Sequence, residues 1–177
     1  MLFFRILINN IYITIEGEVG NMKIVRNYIE YSGLADYIPT EISGFKDFIV
    51  DKDIIIGNEK ANIEYFTRCN AIGRIEKKRI LNSYANKNYG QEEIENKYKL
   101  MVDGNIQIRS EYVGENYEDM IFTDRVKIPF STVVEIVGEY DPCMKIVSTV
   151  FIEDISVKKI SENKYRISLG VLVIVEY

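Results

Sequence analysis

Residues 98–109 read YKLMVDGNIQIR, and residues 165–176 read YRISLGVLVIVE. In the first stretch, apolar residues recur at every second position from Tyr98, and the residues between them are mostly polar. The second stretch has a similar apolar series from Tyr165. Alternation with a period of two is typical of a β-strand that buries one face, whereas a helix needs a period of 3.6. The two stretches therefore predict strands with one face in a core.

Outward from these two strands, shorter runs rich in β-branched and aromatic residues are separated by turn signals. Such spacing indicates a sandwich or a barrel. We expect a single all-β domain, a sandwich of mostly antiparallel strands, with a Greek-key-like crossover left open. The further predicted strands cover residues 24–31, 45–56, 68–75, 121–128, 133–137 and 144–157.

The pattern also predicts which strands lie inside the sheet and which side chains form the core. The final strand carries only two charged residues, Arg166 and Glu176, so we expect it inside the sheet. The N-terminal region, over residues 23–31 or 11–15, is expected to supply an edge that pairs between molecules. The expected core consists of Leu100, Val102, Ile106, Phe130, Ile167, Leu169, Val171 and Val173.

The composition argues against several classes of function. The chain has 177 residues, 47% of them apolar and 28% charged, which suits one globular domain. A net charge of −5 argues against a nucleic-acid surface, and no apolar run reaches the roughly 18 residues of a membrane-spanning helix. Without histidine, neither a Ser/His/Asp triad nor a histidine metal site can form. We therefore predict a protein that is not an enzyme and needs no cofactor or metal.

The first 21 residues allow two interpretations. The alternating isoleucines of residues 11–15 are typical of a strand. Alternatively, natural translation begins at Met22, because codons for residues 17–19 can spell a ribosome-binding sequence at a suitable distance. We accordingly divide the chain into an N-terminal extension, residues 1–21, and one β domain, residues 22–177.

Four sequence blocks, in order, are similar to those of a known family. Residues 60–83 contain KANIE before an alternating strand, and residues 98–113, which follow a Gly-Gln pair, contain KLMVDG and EYV. Residues 128–134 read IPFSTVV, and residues 152–160 read IEDISVKKI. These blocks resemble the SPOCS domain of clostridial spore-coat assembly proteins, and the likeness covers about residues 58–177. The residues that match the family motifs are Lys60, Ile63, Glu64, Gly90, Gln91, Gly104, Tyr112, Pro129, Phe130, Ser131, Thr132, Ile152, Glu153 and Asp154.

The chain departs from the family pattern at two places. Ala61-Asn62 stands where the family has Pro-Asp, which removes a rigid turn before the strand. Val133-Val134 replaces Phe-Ile and keeps the apolar character. We also find no peptidoglycan-binding LysM module, which the large spore-assembly members carry, in this sequence.

The resemblance implies a structural role in the outer layers of a bacterial endospore, the coat or the exosporium. The protein would be made in the mother-cell cytoplasm and then act at the spore surface. Its expected partners are other spore-coat proteins or further copies of itself, in an oligomer or a fibre, and neither nucleic acid nor a membrane span is expected. The alternative is a small module that binds a carbohydrate or cell-wall ligand, which exposed aromatic residues lining a groove would favour.

The two cysteines and one pair of carboxylates are candidates for chemistry. Cys69 shares a strand face with apolar residues, so we expect a buried thiol. Cys143 follows a proline in a turn, so we expect it exposed, either as a free thiol or in an intermolecular cross-link. Glu153 and Asp154 are adjacent, and adjacent strand residues point to opposite faces. Acid–base catalysis by this pair is therefore not expected unless the strand bulges there.

The tetrapeptide from Pro129 to Thr132 is predicted to end a strand, because proline cannot donate a ladder hydrogen bond. Phe130 should then anchor a turn in the core, and Ser131 or Thr132 should bond to backbone. The basic run of residues 77–79 is expected to be a solvated edge. The candidates for a protein contact surface are the acidic loop of residues 115–119 and the tyrosines Tyr84, Tyr89, Tyr112 and Tyr117.

Overall fold

The computed structural model describes residues 4–8, 11–15, 22–83, 97–117, 120–138, 141 and 143–176. Within these ranges the chain forms ten β-strands and no helix, which confirms the all-β prediction. None of the described segments is therefore a helix long and apolar enough to cross a membrane. The strands are β1 Phe4–Ile8, β2 Ile11–Ile15, β3 Met22–Arg26, β4 Ile29–Leu34, β5 Gly44–Ile55, β6 Ile63–Ser83, β7 Lys97–Gly114, β8 Ile121–Glu135, β9 Val147–Ser161 and β10 Lys164–Glu176.

The strands form one mixed sheet that is nearly closed in a barrel-like shape. Along one path the order is β1-β2-β3-β4-β6-β7-β8. On its other side β4 pairs with β9, and the sheet continues through β10 to β5. The neighbours β6 and β9 are parallel to β4, and the other described pairs are antiparallel, as predicted. The chain crosses between distant strands of the sheet from β4 to β5, from β5 to β6 and from β8 to β9.

The two free ends of this sheet meet at one corner. Ser43, just before β5, donates its N–H to the carbonyl of Val175 (2.9 Å). Val137, just after β8, donates its N–H to the carbonyl of Ser43 (2.7 Å). Beyond this corner, the described part of β5 pairs with β10 alone and β8 pairs with β7 alone. The sheet is therefore closed at one end of the β5–β8 seam and unpaired along the rest of it.

Opposite walls of the sheet pack face to face, as the layers of a sandwich do. Phe66 of β6 and Tyr165 of β10 have ring centroids 5.1 Å apart, and Phe48 of β5 lies 5.6 Å from Phe130 of β8. Phe130 is only partly buried. The other predicted core residues are confirmed as buried, namely Leu100, Val102, Ile106, Ile167, Leu169, Val171 and Val173.

The final strand lies inside the sheet, as predicted. β10 pairs with β5 on one side and with β9 on the other. On the face opposite the core, Leu172 and Ile174 are also buried. Protection on both faces and both edges explains why the sequence of β10 is nearly free of charge.

The N-terminal part of the domain differs from the sequence prediction. In place of one strand over residues 24–31, β3 and β4 form a hairpin with its turn at Asn27-Tyr28. Both turn residues have positive φ angles, 51° and 68°, as a two-residue type I′ turn requires. Ser32-Gly33, a pair typical of turns, lies instead inside β4.

β4 is an inner strand of the sheet, so the predicted edge over residues 23–31 is wrong. Its residues Tyr31 and Leu34 are buried in the core. Gly33 has a φ of 88°, and a Cβ there would collide with the carbonyl of Ala71, so only glycine fits. The N-terminal region does supply an edge, but through β1, which pairs with β2 alone in the described chain.

β8 continues through Pro129, which was predicted to end a strand. Pro129 stands in register with Asn105 of β7, and pairing continues on both sides of it. A residue without an N–H is tolerated here because β8 has a neighbouring strand on one side only. The tetrapeptide from Pro129 to Thr132 is therefore part of a strand and not of a turn.

We expect Leu169→Ala to lower the free energy of unfolding by about 2–5 kcal/mol, because it removes buried methyl groups and leaves a cavity. Leu169 is 1% exposed in the centre of β10. Urea unfolding of the two proteins measures the difference. A loss below about 1 kcal/mol would contradict the core described above.

Candidate functional site

The residues that match the family motifs fall in three regions. Lys60, Ile63 and Tyr112 lie at the end of the sheet where the loop before β6 meets the β9–β10 hairpin. The tetrapeptide and Gly104 lie in the wall formed by β7 and β8, and residues 152–154 lie on β9. The structure thus does not gather them into one site. Of the remaining three, Glu64 is exposed on β6, and Gly90 and Gln91 lie outside the described residues.

The loop before β6 is held by hydrogen bonds, although it lacks the rigid Pro-Asp turn of the family. Ile63 donates its N–H to the carbonyl of Glu162 (2.6 Å), and Glu115 donates its N–H to the carbonyl of Asn62 (2.9 Å). The hydroxyl of Tyr112 donates to the carbonyl of Ala61 (3.1 Å). These three bonds tie the loop to both neighbouring turns and give Lys60, which lies in it, a fixed position.

A buried carboxylate, Asp124 of β8, is the centre of a polar network at this end. It faces the core and is 8% exposed. Lys60 places its Nζ 2.6 Å from Oδ1, and the hydroxyl of Tyr165 donates to Oδ2 over 2.7 Å. A buried carboxylate is stable only when its charge is compensated and its oxygens are hydrogen-bonded. Lys60 and Tyr165 supply both.

The network extends deeper through Ser110 and Cys69. Ser110 is the register partner of Asp124, and its Oγ lies 3.6 Å from the Sγ of Cys69. Cys69 is fully buried, as predicted, and burial raises the pKa of its thiol to about 11. Burial and the hydrogen bond to Asp124 raise the pKa of Tyr165 far above its ordinary value. Both groups therefore keep their protons at neutral pH.

The network around Asp124 stabilises the structure and contains no activated nucleophile. The Asp124 carboxylate is neutralised by Lys60, and the Tyr165 and Cys69 side chains are protonated and buried. An activated nucleophile needs a depressed pKa or an adjacent base. The network links β8 to β10 and to the loop before β6, so it closes the end of the sheet.

Asp124 and Tyr165 were not predicted from the sequence as members of this network. A signal for Asp124 was present, because Phe122, Asp124, Val126 and Ile128 alternate on the inward face of β8. A charged residue in an apolar series predicts a buried, paired charge. Its partners could not be predicted, since Lys60 and Tyr165 are 64 and 41 residues away.

The second region is organised by Phe130. Its ring lies over Gly104, its register partner on β7, where a Cβ would collide with the ring. Ser131 was expected to bond to backbone, but its hydroxyl donates to the Asp103 carboxylate over 2.7 Å. Thr132 is partly buried opposite Val102. These contacts serve packing between β7 and β8.

The third region contains a β-bulge at the two adjacent carboxylates, Glu153 and Asp154. Gly170 pairs with Asp154 and the next residue, Val171, pairs with Ile152, so Glu153 is the extra residue of a β-bulge. Glu153 and Asp154 are exposed, and Ile152 is buried. Arg26 of β3 contacts Asp154 at 3.0 Å.

The remaining predictions have mixed outcomes. Tyr112, a candidate for a contact surface, is fully buried, so that interpretation is wrong for it. Tyr117 is exposed, as a contact surface requires. Cys143 is exposed, as expected for its turn, and forms no disulfide with a described residue. The basic run of residues 77–79 is exposed on β6. The other two candidate tyrosines, Tyr84 and Tyr89, lie outside the described residues.

A groove of about 470 Å³ lies on the outer face of β6, β7 and β8. Its lining combines basic, amide and aliphatic residues, and Ile72 is the exposed aliphatic residue among them. An aromatic platform, which would favour a carbohydrate ligand, is absent from this lining. The residues that line the groove are Asn70, Ile72, Gln107, Ile108, Arg109, Arg125, Val126 and Lys127.

Three strands, β1, β5 and β8, end the sheet and pair with one neighbouring strand each within the described part of the chain. Unpaired N–H and C=O groups can accept another strand. Natural edges that stay single are blocked by charged residues or proline. β5 carries five charged residues among positions 46–53, and β8 carries Pro129 and several charges. β1, FRILI, has one charged residue in five.

We expect Tyr165→Phe to lower the free energy of unfolding by about 1.5–3 kcal/mol, because Asp124 loses a buried hydrogen bond to a charged oxygen. Urea unfolding with an unchanged m-value measures this loss. The matched control is Tyr117→Phe, at an exposed hydroxyl, which should change stability by less than about 0.5 kcal/mol. Equal effects of the two substitutions would contradict a structural role for the network.

The two cysteines should differ sharply in reactivity. The thiolate is the reactive form, and a pKa of about 11 leaves roughly one Cys69 thiol in a thousand ionised at pH 8. A thiol reagent at pH 8 should therefore modify Cys143 alone in the native protein, and both cysteines after denaturation. Cys143→Ser is the control, and rapid modification of that native variant would contradict the burial of Cys69.

No family model matches this chain, and the searches of curated proteins and of solved structures also return no match. The resemblance to the SPOCS domain therefore stays a prediction from the four sequence blocks.

Proposed function

We propose that this protein is a structural assembly module of the outer layers of a bacterial endospore, the coat or exosporium, and that it associates through the edges of its sheet. The spore setting comes from the resemblance of the four sequence blocks. The observation that carries the assembly role is the unprotected edge of β1. Partners are further copies of the chain and other spore-coat proteins.

The choice of β1 follows from comparing the three edges. A strand added to an edge gains backbone hydrogen bonds, whatever its sequence. Charged side chains on β5 and Pro129 on β8 oppose this addition. The sequence of β1 opposes it least, because Arg5 is its one charged residue and three of the others are β-branched or leucine. β1 is therefore the strand best suited to pair with a second molecule.

A catalytic role receives no support from the polar network around Asp124, which is neutralised and closed to solvent. The alternative of a carbohydrate module is not favoured either, since the outer groove is lined by charged and aliphatic side chains. An assembly role needs only a stable sheet and an accessible edge. The pairing of β1 with β2 alone in the described chain supports this proposal.

The experiment places one charge on the proposed edge. We expect Ile6→Lys, at the centre of β1, to reduce self-association, because a lysine on an edge strand blocks further pairing. Light scattering of the wild-type and variant full chains at matched concentration gives the average molar mass. Circular dichroism checks that both remain strand-rich.

The matched control is Ile13→Lys, the same substitution at the register partner of Ile6 on β2. β2 has a strand on each side, so this lysine leaves the free edge unchanged. A wild-type chain that stays monomeric at high micromolar concentration would contradict self-assembly. Deleting residues 1–32 would not be a suitable test of the β1 edge, because the deletion also removes Tyr31 from the core.

The spore setting is tested separately by fractionation. The protein should be found in extracts of the outer layers of purified spores and not in vegetative cells. Recovery from vegetative cells alone would contradict this part of the proposal and leave the edge-pairing result untouched.

A further inference from the structure

The outer groove is basic because its cations outnumber the acids that neutralise them. Two rows of residues cross β6, β7 and β8 in register: Ile72–Gln107–Lys127 and Asn70–Arg109–Arg125. Lys127 pairs with Glu76 (2.8 Å), and Arg109 pairs with Glu111 (2.6 Å). Arg125 is exposed and makes no ion pair with any described residue.

Arg74 adds a second unpaired cation beside this groove. It follows Ile72 by two positions on the same face of β6, a distance of about 6.7 Å along a strand. It is exposed, and no described residue forms an ion pair with it. Ile72, itself 45% exposed, therefore has Arg74 two positions along β6, and Arg125 lies diagonally across the groove on β8, in the row of Asn70.

The opposite wall of the sheet has the complementary pattern. On the outer face of β5, Ile49 lies between Asp47 and Asp51 and is 76% exposed. Its register partner on β10 is Gly170, which has no side chain to cover it. Neither aspartate forms an ion pair within the described chain. We call Asp47, Ile49 and Asp51 the acidic patch.

Acidic groups continue across the sheet from this patch. Asp154 is the register partner of Gly170 on the far side, and the bulge exposes Glu153 beside it. Asp154 is neutralised by Arg26, and Asp53 by Lys164 and Arg166, which hold the pKa of Asp53 well below its usual range. Asp47, Asp51 and Glu153 are therefore acids of this wall that form no ion pair with a described residue.

We propose that the acidic patch of one copy docks on the basic groove of the next copy, with Ile49 against Ile72. The two aspartates flank Ile49 on one strand, and Arg74 and Arg125 lie at opposite corners of the groove that contains Ile72, so opposite charges can meet around the two isoleucines. Complementary charges fix the register and disfavour contacts between like faces. This contact rests on the proposed self-association and adds an interface that does not use β1.

The position of the two surfaces determines the form of the assembly. The patch lies on the β5–β10–β9 wall and the groove on the β6–β7–β8 wall, so the contact is heterologous. Heterologous contacts on opposite walls repeat head to tail and do not close in a dimer. β1 pairing would then join such rows side by side.

The test is a reciprocal charge reversal in the full chain. Arg125→Glu and Asp51→Lys should each weaken head-to-tail association by at least about tenfold, because like charges then meet. An equimolar mixture of the two variants should associate again, since the reversed groove of one meets the reversed patch of the other. Sedimentation velocity at low salt measures both effects, and high salt should weaken the wild-type contact.

The controls are Lys145→Glu and Glu41→Lys, which make the same charge changes at exposed positions outside both surfaces. They should sediment like the wild type. If the wild type associates and both charge-reversed variants show the same size distribution as the wild type, this contact alone is overturned. The same holds if the mixture of the two variants fails to associate. A monomeric wild type overturns the proposed self-association itself.

Discussion

The parallel pairing of β4 is the constraint on which the closed sheet depends. β4 is short, yet it joins the β6–β7–β8 wall to the β9–β10–β5 wall by pairing with β6 over residues 30–32 and with β9 at Leu34. Ala35 extends this link by donating its N–H to the carbonyl of Ile152 (2.8 Å). The close approach of β4 to β6 requires Gly33, because any side chain would meet the carbonyl of Ala71. Without this strand, the two long antiparallel walls would be joined through the backbone only near their ends, as between Val137 and Ser43 and between Ile63 and Glu162 in the described chain.

The polar network around Asp124 acts at the far end of the same closed sheet. Two walls that meet only at apolar surfaces can shift relative to each other at little cost. The buried carboxylate of Asp124 opposes such a shift between β8 and β10, because moving Tyr165 away would leave one carboxylate oxygen without its hydrogen bond. The network therefore favours one packing of the two walls. Lys60 and Tyr165 offset the cost of removing the Asp124 carboxylate from water.

Much of the fold could be predicted from alternation alone. β7 alternates from Tyr98 to Arg109 and β10 from Tyr165 to Val171, so the buried faces of these stretches follow directly from the sequence. The β3–β4 turn was missed because its second residue is Tyr28 at a φ of 68°, where the usual type I′ signal has glycine. Pro129 was misread because a proline ends a central strand and is tolerated in an edge strand, and edge position is a property of the topology. Sequence distance also hid the Asp124 network, whose three residues lie on separate elements.

The separation of charge between the two walls could not be predicted from the sequence either, and it is relevant to assembly. The net charge of −5 describes the sum and not the arrangement. Alternation assigns Arg74, Arg125, Asp47 and Asp51 to the outer faces of their strands, but it cannot tell which strands share a wall. The topology brings the cations to one wall and the unpaired aspartates to the other. A chain of modest negative charge can therefore repel its copies at long range and still attract them in one orientation, which favours ordered association over nonspecific aggregation.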